Sequence, residues 1–316
     1  MIAADSQAKI AALHTNVERV ICGKSEAITL AMVTLLARGH LLIEDVPGVG
    51  KTTLAQSFAR SLNCSFKRIQ FTSDLLPSDI IGMSMFNQHS REFEFRAGPL
   101  FANILLADEI NRATPKTQSS LLEAMNDAQV SVENHTHRLP RPFMVIATQN
   151  PIEYHGTFPL PESQLDRFMI RIEMGYPANE DEKRILTAQA AGVQADDLKP
   201  VLSTEDVVAL QDDTARVTVD PALVDYLMAV VSATRTRPDF DLGVSTRGAV
   251  FLYRAAQALA LVQGRTYCLP DDVKRLVLPV CSHRVVVNPG IESFGRRPDE
   301  AKDILLEILD QVPVPL

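Results

Sequence analysis

The amino-acid sequence predicts an α/β fold: a layered sheet of parallel strands with crossover helices, followed by a smaller all-helical domain. Two observations support this prediction. Between about residues 41 and 174, apolar strand-like runs alternate with helical segments, which is typical of parallel sheets covered by helices. From residue 176 onward, the apolar positions follow a helical period. We therefore predict a boundary near Pro177, with an α/β domain at 1–177 and a helical domain at 178–316.

Five strands are predicted in the α/β domain, because five short apolar runs are separated by polar or glycine-containing segments. They cover residues 41–43, 66–71, 104–106, 143–147 and 168–172. A helix is predicted at residues 54–59, directly after the loop that follows the first strand. Another helix passes through Ile28 and Leu35, and its simplest interpretation is packing on the sheet.

Two segments interrupt this alternation and are predicted to be β-hairpins. Residues 83–96 and 129–140 each have alternating apolar positions on both sides of a short polar turn. In the second hairpin, His135 and His137 stand two apart, which places them on one face of a strand. Metal binding by this pair is not favoured, because no third ligand is indicated nearby.

The helical domain contains clear helix starts. Asp220 followed by Pro221 combines an N-cap residue with a proline at the first helical position. The apolar residues that follow form one stripe: Leu223, Tyr226, Leu227, Val230 and Val231. Further helices are predicted to begin at residues 245–247 and to cover residues 298–309.

The composition is that of a globular chain without membrane or export signals. Of the 316 residues, 46% are apolar, and the longest apolar candidate, residues 248–264, contains Arg254 and Gln257. The N-terminus lacks the basic and then apolar pattern of an export signal. The four cysteines show no metal-type spacing and are expected to be reduced, buried thiols. The expected location is therefore the cytoplasm.

The formal net charge of −8 disfavours nucleic acid as a partner. The basic residues form no long run, whereas a nucleic-acid motor normally carries a basic stripe. A ring could still concentrate positive charge in its pore, so this alternative stays open.

The segment after the first strand is predicted to bind a triphosphate. Residues 44–53 read Glu-Asp-Val-Pro-Gly-Val-Gly-Lys-Thr-Thr, so backbone N–H groups and a helix N-terminus would surround an anion. Lys51 would reach the outer phosphates, and Thr52 would ligate Mg²⁺. The usual pattern begins with glycine, whereas this chain has Asp45. Gly48 and Gly50 remain where the backbone approaches the phosphates most closely. The alternative is a plain turn with a solvated lysine.

A later apolar strand ends in two carboxylates, Asp108 and Glu109. In open α/β sheets, ligands bind at the carboxyl ends of strands. Asp108 suits a contact to Mg²⁺, and Glu109 suits a general base that polarises the water attacking the γ-phosphate. The alternative is an acidic turn after a core strand, which the upstream phosphate loop makes unfavourable.

Two further polar segments follow. Asn150 comes shortly after the strand at residues 143–147 and could hold the attacking water, although an Asn-Pro dipeptide also fits a turn. Asp166 and Arg167 are adjacent, and such a pair taken alone is more often a solvated ion pair than a catalytic group. These residues acquire roles only from their wider context.

Together these motifs resemble the MoxR family of AAA+ ATPases. The resemblance extends from about Val20 to the last helices and rests on residues 45–53, 98–100, 107–113, 147–151, 160–168 and 244–248. It implies a P-loop α/β domain with a helical lid, assembled as a ring that is usually a hexamer. It also implies that the two hairpins face the pore or a partner.

The resemblance implies residue roles around ATP and Mg²⁺. Glu109 would be the catalytic base and Asn150 the sensor of the γ-phosphate. Arg167 would be the arginine finger that acts on the neighbouring subunit's nucleotide, and Arg247 would be the second sensor, in its own or a neighbouring subunit. The nucleotide contacts would come from Val20, Ile21, Gly23, Pro47, Gly48, Val49, Gly50, Lys51, Thr52, Thr53, Asp108 and Arg247, with Thr52 and Asp108 at the metal.

Three functions are compatible with these roles. The resemblance favours an ATP-driven, chaperone-like remodeller of a protein partner, in complex assembly or metal insertion. Relatives often work with proteins that contain von Willebrand factor A domains. A nucleic-acid motor is disfavoured by the acidic charge, and a slow nucleotide-gated scaffold is disfavoured by the intact Glu109 and Arg167.

Overall fold

The structure is a computed structural model that describes residues 2–89, 91–132, 135–151, 156–190, 195–288 and 300–315. The strands are β1 (Leu41–Glu44), β2 (Phe66–Gln70), β3 (Gly82–Asn87), β4 (Glu92–Ala97), β5 (Ile104–Asp108), β6 (Gln129–Val132), β7 (His135–Arg138), β8 (Met144–Gln149), β9 (Ile170–Ile172), β10 (Phe240–Leu242) and β11 (Val286–Val287). The helices are α1 (Ile2–Glu18), α2 (Ser25–Leu36), α3 (Lys51–Ser61), α4 (Pro77–Ile81), α5 (Pro115–Asp127), α6 (Glu162–Leu165), α7 (Asn179–Ala190), α8 (Thr204–Ala215), α9 (Pro221–Thr236), α10 (Thr246–Val262), α11 (Pro270–Cys281) and α12 (Glu300–Gln311).

Five parallel strands form the central sheet, in the order β2–β5–β8–β1–β9. They are the five predicted strands, so the α/β fold class is confirmed. In this order β8 lies between β5 and β1, which places the loops after these three strands next to one another. That edge of the sheet is where an open α/β fold binds ligands.

Strands β1, β5 and β8 are buried on both faces, which explains their continuous apolar runs. Successive side chains point to opposite sides of the sheet. In β5, Ile104 and Leu106 belong to a core that also includes α1, α2, α3 and the helical domain. Leu105 and Ala107 belong to a second core that includes α5. The sheet is thus held between two apolar layers.

The two predicted hairpins are confirmed as β3–β4 and β6–β7. They contact each other, because the His137 ring stacks on Phe95 with a centroid distance of 4.1 Å. Phe86 and Phe93 pack edge to face at the other end of β3–β4, and Phe93 is 71% exposed. No cluster of three His, Cys, Asp or Glu side chains suited to a metal occurs within the described ranges.

The second domain is mainly helical, as predicted. Asp220 caps α9 by accepting from the Ala222 N–H at 2.8 Å, and Ser245 caps α10 by accepting from the Gly248 N–H at 3.0 Å. The apolar stripe of α9 is buried. The antiparallel pair β10–β11 was not anticipated, because strands of two or three residues are too short to show a period. In the described part of the chain, no helix combines the length and apolarity needed to cross a membrane.

The helical domain packs closely against the α/β domain. Helix α10 contacts α2, and α11 contacts β9. One apolar core contains residues of both domains, from Ile10 to Ile308. The connection between β9 and α7 contains Pro177, and the predicted boundary at that residue stays a prediction.

All four cysteine thiols are free. Cys22, Cys268 and Cys281 are buried, as expected from the sequence, whereas Cys64 is only half-buried. Burial raises the pKa values of Cys64, Cys268 and Cys281 to about 12, so these thiols stay protonated at neutral pH.

Buried His40 is expected to make the folded protein less stable in acid. His40 Nδ1 accepts a hydrogen bond from the Val145 N–H at 3.0 Å, and Nε2 donates to the Met125 carbonyl oxygen at 3.0 Å. The site therefore fits the neutral ring, and burial lowers the pKa of His40 from 6.5 to about 4. Between these values the unfolded chain binds a proton that the folded protein does not. The free energy of unfolding therefore falls as the pH falls, by on the order of 3 kcal/mol.

Denaturant unfolding between pH 7 and about pH 4 measures this loss. The variant His40→Gln should be less stable at neutral pH, since Gln does not reproduce the ring's packing. Its free energy of unfolding should nevertheless depend less on pH over this range. An equal pH dependence in both proteins would assign the acid sensitivity to other groups.

Candidate nucleotide site

The predicted phosphate loop connects β1 to α3. Gly48 and Gly50 have φ values of 88° and 92°, a left-handed conformation that disfavours residues with a side chain. Lys51 is the first residue of α3, so the N-terminal N–H groups of that helix border the loop, as an anion site requires. The Lys51 ammonium donates to the Asp45 carbonyl oxygen at 2.6 Å, across the loop.

A cavity of about 620 Å³ adjoins the loop, a volume within the usual range for small-molecule sites of roughly 300–1,000 Å³. Its wall contains Val20, Ile21, Gly48, Val49, Gly50 and Thr53 of the predicted contacts, together with Arg19, Cys22, Lys24, Gln56, Met174, Pro177, Ile185, Ala195 and Asp196. Gly23 lies instead on the wall of a neighbouring cavity of about 360 Å³. Gly23 has a φ of 71°, a left-handed conformation that favours glycine.

The predicted acidic pair lies at the end of β5, and Thr148 of the adjacent strand β8 connects its two members. The Thr148 hydroxyl donates to Asp108 Oδ1 at 2.6 Å and accepts from the Glu109 N–H at 2.9 Å. Arg68 of β2 donates from Nε to Asp108 Oδ2 at 3.1 Å. Both oxygens of Asp108 are therefore oriented by neighbouring strands.

The Glu109 carboxylate is also held in a defined position. Glu109 has a φ of 56°, which is uncommon for a residue with a side chain and is often found at functional sites. Its Oε2 accepts from Gln70 Nε2 at 2.6 Å and lies 3.2 Å from Arg112 Nε. A carboxylate fixed at the ligand-binding edge of the sheet can act as a proton acceptor for a bound water.

No sequence motif contains Arg68 or Gln70, and Thr148 lies inside the segment at residues 147–151, which indicates no role for it. What identifies these three residues as partners of the acidic pair is the order of the strands. β2 and β8 flank β5, and Gln70 stands opposite Asp108 in the register. A sequence pattern shows where strands occur but not which strands are neighbours. These partners of the acidic pair therefore become visible only in the assembled sheet.

Asn150 follows β8 and is buried, with 7% exposure. Because β1, β8 and β5 are adjacent and parallel, their carboxyl ends meet at one edge of the sheet. Lys51, Glu109 and Asn150 therefore belong to three neighbouring connections at this edge. This arrangement suits a phosphate chain bound by Lys51 and a water molecule held by Glu109 and Asn150.

Thr52 and Asp108 provide the donor atoms that Mg²⁺ prefers. This ion takes oxygen ligands and usually keeps several waters, so one or two protein oxygens and the phosphates are sufficient. Thr52 lies in the first turn of α3, and Asp108 ends β5. Thr148 and Arg68 orient the two Asp108 oxygens, so this carboxylate would be fixed in place for a magnesium ion bound at this edge of the sheet.

Asp45, which replaces the usual glycine, has a structural role that the motif does not indicate. Its Oδ2 accepts from the N–H groups of Met174 and Gly175 at 2.6 Å each, and its Oδ1 accepts from the Val46 N–H at 2.8 Å. Met174 also lines the cavity. The Asp45 side chain therefore ties the phosphate loop to the connection that leads into the helical domain.

Arg167 and Arg247 form a second group, and neither is among the described residues that line the cavity. Arg167 donates from Nη1 to the Leu122 carbonyl oxygen, and its Nε is buried without a hydrogen-bond partner in the described structure. Arg247 Nη1 lies 3.7 Å from Asp166 Oδ2. Burial and the charge of Arg247 lower the pKa of Arg167. Two positive charges are thus gathered in one place, which suits an anionic ligand.

Two regions of the chain match families of known proteins. Residues 40–170 match the ATPase family associated with various cellular activities (AAA), and residues 232–307 match the AAA lid domain. A crystal structure from Cytophaga hutchinsonii, of a protein named provisionally as an ATPase, is similar with a TM-score of 0.91. That protein is 35% identical, and the similarity covers 100% of this chain and 97% of the other.

Relatives match over nearly the whole chain. The uncharacterized protein YeaC of Bacillus subtilis is 46% identical over 301 residues, which is 95% of this chain and 93% of YeaC. Chaperone MoxR1 of Mycobacterium tuberculosis is 45% identical over 281 residues, 86% of this chain and 74% of MoxR1. Protein MoxR of Methylorubrum extorquens is 30% identical over an alignment 335 residues long, which covers 96% of this chain and 95% of that protein. Given these relatives and its phosphate loop, acidic pair and lid, the chain belongs to the MoxR family of AAA+ ATPases, and it hydrolyses ATP.

Proposed function

We propose that this ATPase works as a ring, most simply a hexamer, in which each ATP lies between two subunits. One observation carries this proposal. Lys51, Glu109 and Asn150 lie on three adjacent connections at one edge of the sheet, whereas Arg167 and Arg247 lie together around Asp166. A neighbouring subunit can supply such arginines to the nucleotide, and a ring gives every subunit one neighbour on each side.

In this proposal, one subunit binds ATP and positions the attacking water. Phosphoryl transfer requires mainly positioning and charge neutralisation from the protein. Lys51 contacts the outer phosphates, Asn150 orients the water, and Glu109 accepts its proton. Mg²⁺, held by Thr52 and Asp108, supplies further positive charge to the phosphate oxygens when it is bound.

The neighbouring subunit completes the site with Arg167 and Arg247. A guanidinium group stays charged when it is desolvated, and its planar fork matches phosphate oxygens. The location of Arg247 beside Asp166 favours action on the same nucleotide as Arg167, that of the neighbouring subunit. Hydrolysis would then require assembly of the ring.

We further propose that the ring remodels a protein partner, in complex assembly or metal insertion. The name of Chaperone MoxR1 supports a chaperone-like role. The exposed aromatic pair of β3–β4, Phe86 and Phe93, offers an apolar surface for a protein client. The net charge of −8 disfavours nucleic acid as that client. A von Willebrand factor A domain is the partner type that we expect.

A pull-down with the variant Glu109→Gln in ATP and magnesium tests this role. The variant should bind ATP without cleaving it and should therefore hold its client longer than the unmodified protein. Recovery of a protein with a von Willebrand factor A domain supports the proposal. The control is Lys51→Ala, which should bind ATP weakly and recover little of the same protein. Recovery of nucleic acid by Glu109→Gln would instead favour a nucleic-acid motor.

A further inference from the structure

Arg284, in the helical domain, holds the backbone on both sides of Arg167. It follows α11 and is only 3% exposed. Its Nη2 donates to the carbonyl oxygens of Asp166, at 3.3 Å, and of Phe168. Its Nε donates to Asp166 Oδ1 at 3.0 Å, and its Nη1 donates to the Met169 carbonyl oxygen at 3.3 Å. The segment that carries Arg167 is thus bound at three of its residues by one side chain of the helical domain.

A second contact from the helical domain reaches the same segment. Ser245, the N-cap of α10, donates its hydroxyl to the Asp166 carboxylate at 2.9 and 3.0 Å. The Asp166 carboxylate is therefore engaged by two side chains of the helical domain. Gly248 makes room for this arrangement, because a Cβ atom there would come within 2.8 Å of Arg284 Cδ. The segment at residues 244–248, which the family resemblance singled out, is built around this contact.

The chemistry of Arg284 makes the contact specific for one orientation of the two domains. Burial lowers the pKa of Arg284 to about 10, so the group stays charged at neutral pH. A buried charge is costly unless all of its donors find acceptors. The N–H bonds of a guanidinium point in fixed directions, so few arrangements of acceptor atoms can satisfy them. Here the acceptors belong mainly to the segment at residues 166–169. A rotation of the helical domain would move this segment or break these bonds.

We propose that Arg284 is a positioning residue for Arg167: the helical domain of the subunit that supplies the arginine sets its position, and thereby controls hydrolysis in the neighbouring subunit. This inference rests on the proposed action of Arg167 across the subunit interface. It assigns a direction to the communication between subunits, because the helical domain of one subunit acts on the nucleotide site of the neighbouring subunit rather than on its own. Ser245 contributes to the same contact through Asp166.

Mixed assemblies of two variants test the inference. Glu109→Gln subunits cannot hydrolyse ATP but can supply Arg167, and Arg167→Ala subunits have intact sites but no arginine to supply. A mixture of the two should recover ATPase activity that neither variant shows alone. When the supplying subunit carries both Glu109→Gln and Arg284→Lys, the recovered activity should fall at least tenfold, because lysine cannot bind three carbonyl oxygens in the same way. Glu109→Gln with Ser245→Ala should give a smaller, roughly threefold loss.

Two controls separate positioning from a general loss of structure. Arg275 of α11 also joins the two domains, through Glu26 of α2, but it does not contact the segment at residues 166–169 in the described structure. Suppliers with Glu109→Gln and Arg275→Lys should therefore recover full activity. In the second control, the receiving subunits carry both Arg167→Ala and Arg284→Lys and are mixed with Glu109→Gln suppliers. This mixture should be as active as the mixture of Arg167→Ala subunits with the same suppliers, because the nucleotide sites of the receiving subunits are intact.

The outcomes are distinct. Loss of activity only when Arg284→Lys is on the supplying subunit supports the inference. Equal loss on either subunit would show that Arg284 merely stabilises the fold, and no loss on the supplying side would also overturn the inference. If Glu109→Gln and Arg167→Ala subunits recover no activity when mixed, the shared site itself is wrong. Lack of ATP binding by the unmodified protein would reject the nucleotide site as a whole.

Discussion

Replacing Arg167 with alanine is expected to slow ATP hydrolysis by about three to five orders of magnitude and to leave ATP binding in place. The reason is that the phosphate loop and the residues lining the adjoining cavity are unchanged in this variant, so the ground-state contacts to the nucleotide should remain. The charge that develops in the transition state would lose its partner from the neighbouring subunit. Steady-state turnover at saturating ATP and titration with a fluorescent ATP analogue measure the two quantities separately.

The variants Arg167→Lys and Arg254→Ala serve as controls. Lysine keeps the charge but not the planar fork, so Arg167→Lys should have an intermediate rate. Arg254 is an exposed arginine on α10, and its removal should leave turnover unchanged. Normal turnover of Arg167→Ala would eliminate the assignment of this residue as the arginine finger.

Replacing Glu109 with glutamine is expected to reduce hydrolysis by about two to four orders of magnitude, again with ATP bound. Glutamine has nearly the same size, and its amide oxygen can still accept the hydrogen bond from Gln70. It cannot accept a proton from the attacking water, so the loss would fall on the chemical step. Single-turnover hydrolysis of labelled ATP measures that step directly.

A matched control is Glu205→Gln, which changes an exposed carboxylate at the start of α8 and should have no effect on the rate. Unfolding experiments should show similar stability for both glutamine variants. Persistent hydrolysis by Glu109→Gln at the normal rate would mean that another group takes the proton. Asp108 would then be the first candidate, since Thr148 joins it to Glu109.

The fold was largely predictable because its signals are local. The buried strands β1, β5 and β8 are continuous apolar runs, and the phosphate loop requires glycine at Gly48 and Gly50 for a left-handed backbone. Each of these features depends on residues close in the chain. The same holds for the N-caps Asp220 and Ser245, which contact N–H groups two and three residues away.

The positions of several site residues could not be read from local patterns. Gly23 was predicted to contact the nucleotide; it lies on the wall of a neighbouring cavity, and its contact with the nucleotide stays a prediction. For Arg247, the sequence left open whether it acts in its own subunit, and its location beside Asp166 favours the neighbouring one. Asp45 departs from the usual glycine, and only the structure shows that its carboxylate accepts hydrogen bonds from the N–H groups of Met174 and Gly175, 129 and 130 residues later.

The sequence alone determined the class of this protein: the phosphate loop, the acidic pair at a strand end and the segment at residues 244–248 each lie within about ten consecutive residues. Only the tertiary structure decided which groups orient them. Arg68 and Thr148 reach Asp108 from neighbouring strands, and Arg284 holds Asp166 from 118 residues away. The physical reason is that hydrogen bonds and ion pairs depend on distance in space. That distance is set by strand order and domain packing, which no short segment of the chain contains.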